Sequence, residues 1–429
     1  MPLYLGVDLG SSACRVAVLD HAENLVAFAS APLAEASRDG ETVGQNPELW
    51  WQTLCDALHS LSASIDLSRI EALAVAGTSG SAVLTDAEGR PLAPALMYND
   101  LRPTDIAQAI AQHAPPESPA RGRGSALARL LWWQRALPAG TRHVLHQADW
   151  LAGRLCGRFS VSDENNALKL GYDPIARNWP AWLDTLDVRR NLLPEVLPPG
   201  TVIGSISAQA HEQTGLPLGA RVHAGTTDSI ATTLAAGARM SGDGVTALGT
   251  TLAIKLISDR PVFNAQFGIY SHRIGGRWLA GGASNSGGAA LARYFALEEI
   301  KRLSPSLCPN ELTGFDYHPL PATGERFPIS DPEMISRVAP APADRARFLQ
   351  GLLEGIAALE ARGYALLHEL GAPRLSSIRS IGGGACNAAW TQIRERTLGL
   401  PMTPARHLHA AAGAALLAMR GPAVFVLPP

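Results

Sequence analysis

An α/β protein built from two related halves is what this sequence predicts, and three observations carry that reading. Short apolar strands alternate with helical segments and meet them at glycine-rich turns. The stretch Val7-Asp8-Leu9-Gly10-Ser11-Ser12 returns as Thr246-Ala247-Leu248-Gly249-Thr250-Thr251, each followed by an apolar strand, which is the mark of an internal repeat. The chain has 429 residues, 46% hydrophobic and 17% charged, enough for roughly two or three domains with large cores.

Residues 4–9 read as the first strand. Leu3, Leu5, Val7 and Leu9 share one face, and Tyr4, Gly6, Asp8 and Gly10 the other, because successive side chains alternate. Asp8 therefore lies among glycines, with room for something to approach the backbone, and a buried charge there needs a partner. A strand at 15–19 completes the hairpin. Trp50, Trp51, Leu54 and Leu58 predict a helix over 47–61. A strand at 70–75 runs into Gly77-Thr78-Ser79-Gly80, and another at 81–85 into a turn at 86–89. Residues 115–124 read as an exposed loop, and 127–134 and 148–155 as helices. A short strand at 222–224 precedes Gly225-Thr226-Thr227-Asp228 and a helix through Ile230, Leu234 and Ala235. The second hairpin pairs 245–248 with 252–257. A strand at 278–280 and a helix at 287–295 follow. Leu349, Leu352, Leu353, Ile356, Leu359 and Leu366 predict a long helix over 348–367. A strand at 378–381 enters Gly382-Gly383-Gly384, a helix starts from Asn387, and an Ala-rich segment at 410–419 closes the chain.

Composition excludes several classes of function. The net charge of −2, from 36 basic and 38 acidic residues, does not suit neutralisation of many nucleic-acid phosphates. Five cysteines without a CxxC spacing argue against a disulfide framework or structural zinc and for a reducing cytoplasm. Asp8 interrupts any early apolar run, so no signal peptide is expected. No stretch reaches the ~18 apolar residues of a membrane span. The lysines are Lys169, Lys255 and Lys301, none in a GxxxxGK[ST] loop, which removes the P-loop route to nucleotide binding.

The remaining candidates sit at turns. Gly10-Ser11-Ser12 and Gly249-Thr250-Thr251 offer backbone N–H groups and hydroxyls suited to phosphate oxygens, or are ordinary hairpin tips. Asp8 beside phosphates calls for Mg²⁺ between them. Asp228, at a strand-to-helix junction, reads either as a helix cap or as the acceptor of a substrate hydroxyl's proton. A helix N-terminus favours its charged form, and a loose phosphoryl-transfer transition state needs the nucleophile oriented more than deprotonated early. Gly382-Gly383-Gly384 reads as a tight connection or as a loop that lets a ligand approach. Trp390, one turn into the next helix, reads first as a core anchor, and His223 as a satisfied core residue.

These pieces, in this order, resemble the FGGY family of carbohydrate kinases, within the actin–Hsp70–hexokinase superfamily, over nearly the whole chain. Residues 5–19 resemble its first phosphate motif. Met97-Tyr98-Asn99-Asp100-Leu101-Arg102 resembles its WNDxR segment, and Asp163-Glu164-Asn165-Asn166-Ala167 with Asp173 its DxSNA…D segment. Residues 219–237 resemble the stretch holding the catalytic aspartate, which falls on Asp228. Residues 247–251 resemble the second phosphate motif, Leu353-Glu354-Gly355-Ile356 a typical helix, and 382–390 the adenosine motif. Each match is weak alone; seven in register are specific. Gly288 is a looser match to a nucleotide-contacting position. The chain has Thr78-Ser79-Gly80 where xylulose kinases carry a Gln-Met-His-Gly segment one residue longer, and His409 where a Glu is usual. Its length, Gly77-Thr78-Ser79-Gly80 and 166–172 resemble a short branch of plant and cyanobacterial xylulose-kinase-like proteins associated with D-ribulose phosphorylation.

The resemblance implies two ribonuclease-H-like domains, 1–235 with 408–429 and 236–407, around a central cleft. It implies sugar and ATP as small-molecule ligands, with Mg²⁺ on Asp8, and neither nucleic acid nor membrane as a partner. Asp228 would be catalytic, and Asp8, Ser79, Asn99 and Asp228 would bind sugar. Gly10, Ser11, Ser12, Gly249, Thr250, Thr251, Gly288, Gly383, Gly384, Asn387 and Trp390 would bind the nucleotide. D-Xylulose, another ketose or a polyol stands as the alternative acceptor. A non-catalytic sugar- and ATP-binding regulator of the same fold is the alternative from another class.

Overall fold

The computed structural model describes residues 1–100, 102 and 104–425. Leu101 and residues 426–429, which fall in segments named above, lie outside the described residues. The chain divides into two compact units. The first holds Met1–Ala235, His272–Gly276 and the residues from His409 on; the second holds Ala236–Ser271 and Arg277–Leu408. The expected bounds, 1–235 with 408–429 and 236–407, differ from this division only at 272–276 and Leu408. Each unit is a mixed α/β domain. Among the described residues no helix is long and apolar enough to cross a membrane.

The first unit is organised by a six-stranded sheet in the order Val202–Ser205, Arg221–Thr227, Ile70–Gly77, Leu3–Leu9, Ala13–Leu19, Leu25–Pro32. Leu3–Leu9, Ile70–Gly77 and Arg221–Thr227 are parallel, and the hairpin strands that follow Leu3–Leu9 are antiparallel. Leu3, Leu5, Val7 and Leu9 enter a core with Trp50, Leu54 and Leu58 of the helix Pro47–Ser62 and with Trp150 and Leu151 of the helix Gln147–Cys156. Each such side chain contributes about 1.5–3 kcal/mol by leaving water. Asn46 caps Pro47–Ser62 by accepting from the Glu48 N–H, and Pro47 takes the first helical position, where the N–H it lacks would have no intrahelical partner.

The opposite face of the sheet is built from small residues. A Cβ on Gly6 would stand 1.8 Å from the Ala411 carbonyl oxygen, and one on Gly413 1.8 Å from that of Ala231. The helix Ala410–Arg420 thus lies directly on the first strand and on the helix Asp228–Ala236, with Ala76, Ala231, Ala410 and Ala414 between them. The room beside Gly6 that the sequence left for a ligand is filled by this helix. A second, five-stranded sheet, Ser37–Asp39, Thr42–Gln45, Ala95–Leu96, Ala82–Thr85, His143–His146, extends the first unit. It has its own core with the helices Thr104–His113 and Ala126–Gln134.

In the second unit Arg277–Ser284, Leu252–Ser258, Asp243–Leu248, Ser377–Ile381 and Met402–Thr403 lie side by side in that order. Neighbours among the first three are antiparallel and the last three are parallel. This is the pattern of Leu25–Pro32, Ala13–Leu19, Leu3–Leu9, Ile70–Gly77 and Arg221–Thr227, so the repeat seen in the hairpins extends to the topology. The long helix runs Arg345–Glu369, and its predicted apolar residues are all buried against the sheet and its neighbours.

Candidate functional site

In the first unit the three parallel strands end at one edge, the place where open α/β sheets bind ligands. Asp8 is level with Ala76, and Ala76 with Thr226, which sets Asp8 and Thr226 about 10 Å apart across two strand spacings. Asp8 is 6% exposed. Its carboxylate lies 3.7 Å from the guanidinium of Arg15, its cross-strand neighbour in the hairpin. Burial first, and the charge of Asp228 second, raise the Asp8 pKa to about 7, against the opposing pull of Arg15. Two acids therefore sense each other at this edge. Beyond Asp8 the hairpin tip is closed by a Gly10 N–H to Ala13 carbonyl bond of 3.0 Å, which leaves Ser11 and Ser12 exposed.

Asp228 is the first residue of the helix Asp228–Ala236, and its Oδ1 accepts from the Ser229 N–H at 2.6 Å. A register shift between His223 and Thr226 marks a bulge in the strand before it. At Gly225 a Cβ would stand 1.9 Å from the Val75 carbonyl oxygen, so only glycine lets the bulge pass its neighbour. Such bulges re-aim the chain that follows, here into Asp228. The Thr226 hydroxyl is held by the Asn165 amide at 3.0 Å. Asn165 belongs to a tight turn around Asp163, whose carboxylate accepts from the Asn165 and Asn166 N–H groups and the Asn166 amide. Burial and the nearby Asp149 raise the pKa of Asp163 to about 8.

Ser79 is half-buried in the turn after Ile70–Gly77. Thr78 is anchored by Gln147, whose Oε1 accepts from the Thr78 N–H at 3.0 Å and its hydroxyl at 2.8 Å. The Gln147 Nε2 is buried without a partner, an unmade bond that costs about 1–3 kcal/mol. Asn99 is half-buried, and the residue after it holds the segment in place. Asp100 accepts from the Val43 N–H and from the Arg102 guanidinium, and that guanidinium lies 4.3 Å over the Trp132 ring. His223 is a core residue as expected but only half satisfied: its Nδ1 lies 2.6 Å from the Gly200 carbonyl oxygen and its Nε2 is buried without a partner.

In the second unit the Gly249-Thr250-Thr251 hairpin closes one residue sooner than its counterpart, with the Gly249 N–H donating to the Thr251 carbonyl at 3.2 Å. The Gly288 N–H donates to the Gly249 carbonyl at 2.9 Å, and the Ala289 N–H to that of Thr250 at 3.0 Å. A Cβ on Gly288 would lie 2.7 Å from the Gly249 oxygen. Gly288 thus seats the hairpin with an N–H that is already used. Its helix, Gly288–Ala292, is shorter than the 287–295 expected; Gly287 caps it and the chain turns beyond Ala292.

Gly249, Thr250, Gly288, Gly383, Gly384, Asn387 and Trp390 all line one cavity of about 1000 Å³ in this unit. Thr251 does not. The cavity wall is largely apolar, with Leu291, Phe295, Ile300 and Leu353 among its residues, as small-molecule sites usually are. The Asn387 side chain is engaged twice: Oδ1 accepts from the Trp390 N–H, and Nδ2 donates to the Ser304 hydroxyl at 2.8 Å. Trp390 is 3% exposed, its indole N–H on the Leu353 carbonyl, so its ring is a core anchor beneath Gly384. Behind the cavity lies an ion pair absent from the sequence reading. Arg394 and Glu360, both fully buried, meet through two 2.6 Å bonds. Glu360 also accepts from the Thr246 hydroxyl, and Arg394 donates to that of Ser380 at 2.7 Å. The pair thereby ties the strand entering the hairpin to the strand entering the glycine loop.

The structure therefore gathers Asp8, Gly10–Ser12, Ser79 and Asp228 along one sheet edge of the first unit, and, of the nucleotide candidates, Gly249, Thr250, Gly288, Gly383, Gly384, Asn387 and Trp390 around one cavity of the second; Gly10, Ser11, Ser12 and Thr251 do not line that cavity. Arg15, Gln147, Ser81 and Glu360 were missed. Arg15 alone had a sequence signal, since hairpin register places it beside Asp8.

Two family models match the chain: the N-terminal domain of the FGGY family of carbohydrate kinases over residues 3–235 and its C-terminal domain over 244–421. Xylulose kinase of Escherichia coli is 26% identical over 412 residues, covering 91% of this chain and 84% of that one. Autoinducer-2 kinase of Yersinia enterocolitica is 24% identical, covering 93% and 82%. Among solved structures, a "xyloylose kinase" from Brucella ovis superposes with a TM-score of 0.89 at 24% identity, covering 98% and 90%. Plasmodium falciparum glycerol kinase with ADP superposes at 0.82 and 16%, covering 97% and 89%; both show the fold.

Proposed function

The chain belongs to the FGGY family of carbohydrate kinases and is an ATP-dependent carbohydrate kinase, and from that premise we propose that it phosphorylates a terminal hydroxyl of the ketopentose D-ribulose, giving D-ribulose 5-phosphate. The observation that carries the site assignment is the pair of acids, Asp8 and Asp228, that sense each other at the carboxyl edge of the parallel strands. The short Thr78-Ser79-Gly80 turn supports D-ribulose as acceptor. The curated relatives named xylulose kinase favour D-xylulose as the second reading. Five free cysteines suit a reducing cytoplasm.

Asp228 accepts the proton of the sugar's terminal hydroxyl as its oxygen bonds to the γ-phosphorus of ATP. The bond from that phosphorus to the β–γ bridging oxygen breaks, and ADP leaves. Ser79 and Asn99, with Asp8 and Asp228, bind sugar hydroxyls. In the second unit the cavity takes the nucleoside, with Gly383, Gly384, Asn387 and Trp390 around it, and Gly249, Thr250, Thr251 and Gly288 form the phosphate end. In the first unit Gly10, Ser11 and Ser12 offer the same N–H and hydroxyl chemistry to phosphate.

Mg²⁺ fits the residues present. Asp8 is a buried carboxylate that feels the charge of Asp228, and Arg15, 3.7 Å away, offsets only part of the burial and like-charge cost. Among the described residues no group of three His, Cys, Asp or Glu could hold a metal, which suits an ion carried mainly by phosphates and one carboxylate. Asp8 would hold it, and the ion when bound neutralises charge on the transferring phosphoryl group.

An ADP-release assay over D-ribulose, D-xylulose, L-ribulose and glycerol tests the proposal. D-Ribulose should give the highest kcat/KM, and Asp228→Ala should lower kcat by about 10²–10⁴-fold with the KM for ATP little changed. Near-normal turnover by Asp228→Ala refutes its assignment. Failure of any acceptor to stimulate ADP release favours the non-catalytic regulator.

A further inference from the structure

We infer that Gln147 is the positioning residue for sugar recognition: its side-chain carbonyl ends an oriented chain of hydrogen bonds that sets the Ser79 turn and the Asn99 segment together. The inference rests on the reading above that Ser79 and Asn99 meet the sugar.

The chain of bonds has four links, running from the backbone of the exposed Tyr98 through the buried Ser81 and Thr78 to the buried Gln147. The Tyr98 N–H, next to Asn99, lies 3.1 Å from the Ser81 hydroxyl oxygen. The Ser81 and Thr78 hydroxyls are 2.7 Å apart. The Thr78 hydroxyl and the Thr78 N–H both donate to Gln147 Oε1, at 2.8 and 3.0 Å. Ser81 and Gln147 are 0% exposed.

Directions follow from the two backbone groups, which only donate. The Thr78 N–H requires an oxygen opposite it, so the carboxamide presents Oε1 there. The single hydroxyl proton of Thr78 goes to the same oxygen. Thr78 can then only accept from Ser81, and Ser81 accepts from Tyr98. Every donor points toward Gln147, which is the final acceptor for both segments.

Two further features make this a held arrangement. Gln147 leaves its own Nε2 buried and unpartnered, so the carboxamide is turned to serve Thr78 at its own expense. Gly77 lets the start of the helix Gln147–Cys156 press against the strand end: a Cβ there would lie 3.0 Å from the Ala148 nitrogen and 3.3 Å from Gln147 Oε1. Strand end, turn and helix start cannot drift apart separately. Gln147 touches neither proposed reacting group, and acts through Thr78, Ser81 and the Tyr98 backbone.

The test is steady-state kinetics of the full chain with the ketose that wild type turns over best. Gln147→Leu removes the acceptor. Gln147→Glu, protonated at this fully buried position, keeps the carbonyl acceptor and replaces the amide by a hydroxyl. Gln147→Leu should raise the KM for ketose about tenfold while the KM for ATP stays within about twofold, and Gln147→Glu should stay within about threefold of wild type for both. The inference is overturned if Gln147→Leu leaves the ketose KM unchanged, if it raises both KM values alike, or if Gln147→Glu is as damaging as Gln147→Leu. Should Gln147→Leu not fold, Thr78→Val reads the link from its other end: a raised ketose KM supports the inference and an unchanged one overturns it. Ser79→Ala and Asn99→Ala separate the two levels of argument. If both leave the ketose KM unchanged, the underlying sugar-contact reading fails and takes the positioning role with it. If they raise it and Gln147→Leu does not, only the inference falls.

Discussion

The two glycine-hydroxyl hairpins share a topology and divide their chemistry in opposite ways. At the first, the cross-strand pair two residues before the glycine is Asp8 and Arg15; at the second it is Ala247 and Ala253. One residue deeper the order reverses. Val7 is an apolar core residue, whereas Thr246 bonds to the buried pair Glu360–Arg394. The first hairpin thus carries charge at its lip over an apolar support, and the second an uncharged lip over an ionic support. A repeated scaffold can place the same N–H and hydroxyl groups twice and still confine the charged chemistry to one copy. Another buried acid in each unit differs too: Glu360 is neutralised by an arginine, while Asp163 is held by one amide and two N–H groups close to Asp149.

The largest effect should come from the ionic support. Glu360→Ala strands the Arg394 guanidinium and should destabilise the second unit by about 3–5 kcal/mol, whereas Glu360→Met with Arg394→Leu should recover most of that loss. Urea titration measures both, and a loss below about 1 kcal/mol for the single variant would erase the distinction between the two supports. Next comes the charged lip. Asp8→Asn should lower kcat about 10²-fold and displace the Mg²⁺ titration of activity. Ala247→Asp should bring no rate gain and raise the KM for ATP several-fold, because an added negative charge faces phosphate. A faster Ala247→Asp enzyme would show the two lips to be interchangeable.

A change of opposite sign, a gain in stability rather than a loss, is expected at Asp163 and depends on pH. Unfolded, this acid ionises near pH 3.9; folded, it stays protonated up to about pH 8. Between those values the unfolded state has released its proton and the folded state has not, so this residue's contribution to stability falls as pH rises and levels off above the folded value. Asp163→Asn removes that dependence. Its Tm should gain on wild type across pH 4 to 8 and then run parallel; a constant difference over the range would mean that Asp163 is ionised in the folded chain.

Local pattern made much of this legible. Alternation placed Leu5, Val7 and Leu9 on one face and Asp8 on the other, and helical spacing found Trp50, Leu54 and Leu58. The two hairpins announced the repeat, and Asp228 stood out at its strand-to-helix junction. The second sheet of the first unit went largely unread because its strands are short, Ala95–Leu96 being two residues, and pair with segments far along the chain. Gln147 lies 69 residues from Thr78, and Arg394 34 residues from Glu360. No local period links such partners.

By itself the order of residues determined the α/β class, the twofold repeat, the hydroxyl-bearing hairpins and the acids beside the first of them, since these follow from side-chain alternation and turn chemistry over a few neighbours. Tertiary packing alone decided that the Ala-rich helix fills the space over Gly6, that Gly225 is the point where a bulge can pass its neighbour, and that Gln147 faces Thr78 with its oxygen. Those outcomes depend on which backbones come within van der Waals distance and which buried donors lack an acceptor, and both are set only when distant segments meet.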